Sequence, residues 1–168
     1  MKKLLNLCIV LVLLGVALFP CFAESVTLDA QSPQYANARY GFSLSLAPGS
    51  YEAEEAQNGD GITVRDGQGL TLLAYGTRGP GVLGQSFSQV LAEQEKSFGS
   101  VTYRRVAPRE SWFVLSGFAG GEIRYVKCLY SGDVSLFLEI RYPKELKERY
   151  GALVKTASKT FRAGRAAM

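Results

Sequence analysis

Histidine is absent from all 168 residues. That excludes Ser-His-Asp and Cys-His catalysis, histidine zinc sites and histidine general bases. What remains for chemistry is carboxylates, lysine, tyrosine, serine and very little cysteine, a thin inventory for an enzyme. Cys8 and Cys21 fall in an apolar N-terminal leader, so Cys128 stands alone in the rest of the chain. Without the leader no intramolecular disulfide can form, and an exported chain of this kind is held by packing alone. A lone cysteine inside an apolar strand reads as a small buried hydrophobe rather than a reactive thiol. Internal repeats and low-complexity blocks are also missing.

The leader itself is distinctive. Lys2 and Lys3 give a positive start, Leu4 to Phe19 form an apolar run, and small residues follow at Cys21 and Ala23. This is the three-part layout of a secretory signal, with cleavage between Ala23 and Glu24. A permanent anchor is the first rival, but spanning a bilayer takes about 20 apolar residues and this run is shorter. Lipid modification at Cys21 is the second, and Pro20 is a poor neighbour for it. Cleavage removes 23 of the 168 residues and leaves 145, one ordinary domain. Loss of Lys2 and Lys3 leaves 17 basic residues against 15 acids, so the net charge drops from +4 to +2. A polyanion binder needs a concentrated basic face, so the basic isoelectric point does not point to nucleic acid. The expected location is the periplasm or the exterior, with no integral membrane anchor after cleavage.

Residues 24–38 are polar and aperiodic and read as a leading arm, partly disordered. Residues 39–161 form a single α+β domain, and 162–168 a loose tail. Tyr40, Phe42, Leu44 and Leu46 alternate with small residues, as a half-buried strand requires. A weaker strand covers 51–56. Strands at Ile62–Arg65 and Leu70–Thr77 flank Asp66-Gly67-Gln68-Gly69, a strong hairpin signature. Ser86 with Gln89 three residues later predicts a capped helix that stops at Gly99. Strands follow over Val101–Ala107, Ser111–Phe118, Glu122–Tyr130 and Val134–Tyr142. Pro143 is then read as the first residue of a last helix, whose stripe is Leu146, Tyr150, Leu153, Val154, Ala157 and Phe161. Lys144 with Glu148 and Glu145 with Arg149 have the spacing of helical ion pairs. Short connections imply antiparallel pairing. The expected architecture is an antiparallel sheet with a helix against each face, an α/β/α sandwich.

Candidate motifs are few. Gly79-Pro80-Gly81-Val82-Leu83-Gly84 matches G-x-G-x-x-G, yet Pro80 removes an N–H from the cradle and the flanking strands read as antiparallel, so a linker is the better reading. Asn58-Gly59-Asp60-Gly61 resembles the middle of a calcium loop, but the first and twelfth positions hold Ala56 and Gly67, which favours a tight turn. Glu52, Glu54, Glu55 and Asp60 could suit a glycosidase only if two carboxylates converged. Arg104, Arg105 and Arg109 could meet an anionic partner, although adjacent strand residues point to opposite faces. Trp112 reads as core, and exposed it would mark a binding surface. These four are the candidate contact residues. No catalytic, cofactor or metal residue is assigned, and no cofactor is expected.

Arg39-Tyr40-Gly41-Phe42, Asn58-Gly59-Asp60-Gly61, Trp112-Phe113-Val114-Leu115-Ser116-Gly117, Tyr125-Val126-Lys127 and Tyr142-Pro143 together resemble a group of small exported bacterial proteins of unknown function. The order of elements is similar to the Mog1/PsbP-like α/β/α sandwich. That resemblance implies accessory or docking work: one member of the fold class attaches to photosystem II in the thylakoid lumen, another binds a Ran-type GTPase. It transfers no functional residue, and fold alone does not fix function. Three functions follow as expectations. The leading one is a non-enzymatic exported accessory protein that binds an envelope or extracellular protein. The others are a small-ligand carrier with a pocket between sheet and helix, and a hydrolase built on carboxylates or Lys/Tyr.

Overall fold

A computed structural model of the chain describes residues 24–78, 85–131 and 134–164. The leader with Ala23, the glycine-rich segment 79–84 and the end of the tail lie outside the described residues. Chain order is β1 (Glu24–Val26), β2 (Gln34–Ala36), β3 (Phe42–Ser45), β4 (Glu52–Glu55), β5 (Gly61–Arg65), β6 (Thr71–Arg78), α1 (Phe87–Lys96), β7 (Ser100–Val106), β8 (Trp112–Ala119), β9 (Glu122–Tyr130), β10 (Val134–Pro143), α2 (Lys147–Thr160) and β11 (Arg162–Ala163). Eight strands form one sheet in the order β1-β4-β5-β6-β10-β9-β8-β7, and β11-β3-β2 form a second of three strands. All the pairings described are antiparallel.

Local chemistry explains the turns. Asp66 Oδ1 accepts the backbone N–H groups of Gln68 at 2.8 Å and Leu70 at 3.0 Å, while Gly67 and Gly69 take φ of 68° and 112°. A carboxylate that bonds the backbone ahead of it stabilises this turn, and glycine supplies its positive φ without a steric penalty. Ser86 caps α1 in a reciprocal box with Gln89. The turn at Asn58-Gly59-Asp60 is tied to the segment before β3: Arg39 pairs with Asp60 at 2.8 Å, and Asn37 Nδ2 donates to Gly59 O at 2.8 Å. The motifs around Arg39 and Asn58 therefore meet as one structural clasp.

Alternation along the strands divides the core in two. Leu72, Leu136, Leu138 and Ile140 face α2 and pack with Tyr150, Leu153, Ala157 and Phe161, together with Phe42 and Leu44 of β3. Phe113, Leu115, Val126, Cys128 and Phe137 pack with Phe87, Val90 and Leu91 of α1. Phe87 meets Phe113 and Tyr130 edge-on at 5.7 and 5.4 Å, a favoured geometry for aromatic pairs.

Several expectations change. The arm and the tail supply β1, β2 and β11, strands of only two or three residues that are too short to show a period. Pro143 is not a helical residue. It closes β10 opposite Glu122 with φ −56° and ψ 138°, and a short 3₁₀ turn, Lys144–Leu146, precedes α2. A proline's fixed φ suits extended backbone as well as a first helical turn. The helical ion pairs give way to other partners: Lys144 approaches Glu145 at 3.9 Å, and Arg149 turns to Gln68.

Candidate docking surface

The end of the large sheet beyond α2 carries the exposed aromatic residues. Tyr103 is 50% and Phe118 44% exposed, and these are the exposed large hydrophobic side chains among the described residues. Register explains their company. Tyr103 lies opposite Ser116, Arg105 opposite Val114, Val114 opposite Lys127 and Trp112 opposite Leu129. All of these therefore project from one face, across β7, β8 and β9. Tyr103, Arg105, Trp112, Val114, Lys127 and Leu129 line an open groove of about 400 Å³ that reaches Ser158 of α2. The Arg105 guanidinium sits 5.5 Å from the centroid of the Trp112 ring, within the range of cation–π attraction.

The floor of this groove is fixed to α2. Tyr125 OH and Ser158 Oγ are 2.5 Å apart, and Lys127 Nζ donates to Ser158 O at 2.7 Å and Phe161 O at 3.1 Å. A cation there meets the unpaired carbonyls of a helix C-terminus. Burial lowers the Lys127 pKa and raises that of Tyr125. Lys127 is thus a tethered, half-buried ammonium in a groove shared with an exposed guanidinium.

Of the candidate contacts, Trp112 and Arg105 come together. Trp112 is half-buried and belongs to neither core cluster, so the core reading is corrected. Its face of β8 extends past the edge of α2, where no described residue covers it fully. Arg104 points the other way and pairs with Glu95 of α1 at 2.7 Å. Arg109 lies exposed in the turn before β8. Glu24 opens β1 opposite Glu55. Tyr103, Phe118 and Lys127 were missed in the sequence, although Tyr103 shares its strand face with Arg105 by the period of two.

The carboxylates are engaged elsewhere. Asp66 Oδ2 accepts from Tyr150 OH at 2.6 Å, and Glu55 accepts from Tyr35 OH at 2.6 Å. Glu139 is buried, bound by Arg124 at 2.8 Å and by Tyr75 OH at 3.0 Å. Arg124 also donates to Gln94 of α1 at 3.1 Å and lies 5.1 Å from the Phe98 ring centroid. Burial, with Glu139 next to it, holds the Tyr75 phenol far above its ordinary range. Burial likewise pushes the Cys128 thiol up, which suppresses the reactive thiolate. Among the described residues, no cluster of three or more acids or cysteines is arranged for a metal ion, and no helix is long and apolar enough to cross a membrane.

No protein-family model matches the chain, and no curated protein matches it in sequence. Eight solved chains match it in structure. One is the solution structure of cyanobacterial PsbP (CyanoP) from Synechocystis, with a TM-score of 0.56 and 12% identity over 86% of this chain and 99% of that one. The chain therefore has an α+β fold of the PsbP-like kind. The likeness fixes the fold and leaves function to the surface.

Proposed function

We propose that this chain is an exported, non-enzymatic accessory protein that docks on an envelope or extracellular protein through the open face of β7, β8 and β9. The carrying observation is the gathering of Tyr103, Trp112 and Arg105 on one sheet face that the described residues leave open. Aromatic and arginine side chains are enriched at protein interfaces and at their hot spots. The PsbP-like fold and the layout of the leader support the same reading, and the separate core clusters of α1 and α2 suit an α/β/α sandwich. The hydrolase reading finds Asp66, Glu55 and Glu139 each held by a phenol; Leu138, Ile140 and Ala157 fill the centre of the packing between sheet and α2, and open space lies at its margins.

A photo-crosslinking residue at Tyr103, compared with one at Glu93 on the outside of α1, tests this in envelope preparations. A defined adduct from position 103 that disappears with Trp112→Ala is expected. Equal adducts from both positions, or none from 103, would refute it. N-terminal sequencing of exported protein should give a start at Glu24, whereas an acylated start at Cys21 would show a lipoprotein.

A further inference from the structure

We infer that the docking face binds its partner by strand addition: an extended segment rich in carboxylates pairs with the free edge of β7. This rests on the docking reading above and adds the partner's conformation and charge. Among the described residues β7 is the last strand of the large sheet and pairs only with β8. Ala107 N–H donates to Trp112 O at 2.9 Å, and the register from Tyr103 to Val106 is regular. Antiparallel ladders alternate, so the N–H and C=O groups of Arg104 and Val106 face away from β8. These groups are a template for another strand.

The edge is guarded in a selective way. A bulge between Val101 and Tyr103 interrupts the first part of the strand, which confines pairing to the stretch from Tyr103 to Val106. Arg105 carries the available positive charge on that stretch, Arg104 being paired with Glu95 on the other face, and no acid lines the adjoining groove, whose charged groups are Arg105 and Lys127. A second copy of this chain would bring its own Arg105 against this positive face, which disfavours self-pairing. A segment with carboxylates on alternate residues removes the repulsion. Carboxylates that meet Arg105 lie on the face of Tyr103 and Trp112, and the side chains between them project toward the α1 side.

The test uses isotope-labelled exported protein and two synthetic peptides matched to the seven residues of β7. One alternates glutamate with valine and phenylalanine, and the other replaces each glutamate with lysine. The acidic peptide should bind at least about tenfold more tightly. In its complex the amides of Arg104 and Val106 should exchange with solvent about tenfold more slowly. Arg105→Glu should reverse the peptide preference. Arg104→Pro removes one outward N–H and should abolish binding; if that variant misfolds, N-methylation of alternate peptide nitrogens serves the same purpose. Equal binding of the two peptides, no binding of the acidic one, or unprotected Arg104 and Val106 amides in the complex would overturn the inference. Crosslinking at Tyr103 without edge protection would leave docking standing and remove strand addition. Loss of both would remove the docking reading as well.

Discussion

The two helices are fastened to the sheet by different chemistry. α1 is held by a buried ion pair: Arg124 binds Glu139, reaches Gln94 and stacks on Phe98. α2 is held by neutral phenols and by one cation at its end, through Tyr150 on Asp66, Tyr125 on Ser158 and Lys127 on the terminal carbonyls. On the α1 side even Arg104 finds a partner, Glu95, whereas on the α2 side Arg105 has only the Trp112 face. The contrast separates structural charge from available charge. Arg104 and Arg105 are neighbours in sequence, and pleating alone gives them different work.

The largest effect is expected where the α1 fastening is cut. Glu139→Ala leaves Arg124 buried without its counter-ion, and unfolding in urea should show a loss of about 3–5 kcal/mol. Replacing both partners, Arg124→Met with Glu139→Leu, should recover most of that loss. A loss below about 1 kcal/mol for Glu139→Ala would mean that the pair does not anchor α1.

Alkaline pH should loosen the other side. Burial first, then the bond to Asp66, raises Tyr150 from 10.0 to about 12; burial first, then the bond to Glu55, raises Tyr35 to about 12. Both phenols are neutral in the fold and lose protons earlier when unfolded. Their contribution is complete below pH 10 and drains away as pH climbs toward 12. Tyr150→Phe should flatten that decline, and an unchanged alkaline profile would contradict the assignment. Asp66 works at the other end of the scale. Burial opposes its charge, but the bonds from Tyr150, Gln68 and Leu70 prevail and lower its pKa, so its contribution disappears as pH falls through that lowered value.

Smaller effects should separate the two faces. Trp112→Ala should abolish crosslinking from Tyr103 while costing far less stability than truncation of a core aromatic such as Phe137, for which about 3–5 kcal/mol is typical. Arg104→Ala removes an exposed pair and should cost about 0.2–1 kcal/mol. Arg105→Ala should leave the unfolding midpoint almost unmoved yet weaken capture of the partner. If Arg104→Ala weakened capture more than Arg105→Ala, the two faces would have been assigned the wrong way round.

Much of the fold was legible. The alternation from Val134 to Tyr142, the Asp66-Gly67 turn and the Ser86 cap are local signals, and each stands where local chemistry put it. β1, β2 and β11 were not legible, because a strand of two or three residues has no measurable period and exists only through its partner. Pro143 misled because its fixed φ serves both a strand end and a helix start. The site was half legible. Arg105 and Trp112 stood out by type, but whether Trp112 is covered depends on where α2 stops, a matter of packing rather than pattern. Lys127 could not be recognised as a cap for α2, since its partners Ser158 and Phe161 lie 31 and 34 positions later in the chain.

The small sheet sets a timetable. β3 has β2 on one side and β11 on the other, and Ser45 exchanges hydrogen bonds with Thr160, 115 positions further along. This corner cannot close until nearly the whole domain has been synthesised. Contacts so distant in sequence are slow to form. For a chain that crosses a membrane before it folds, as proposed here, that delay is useful: the precursor stays threadable until β11 arrives to complete the corner.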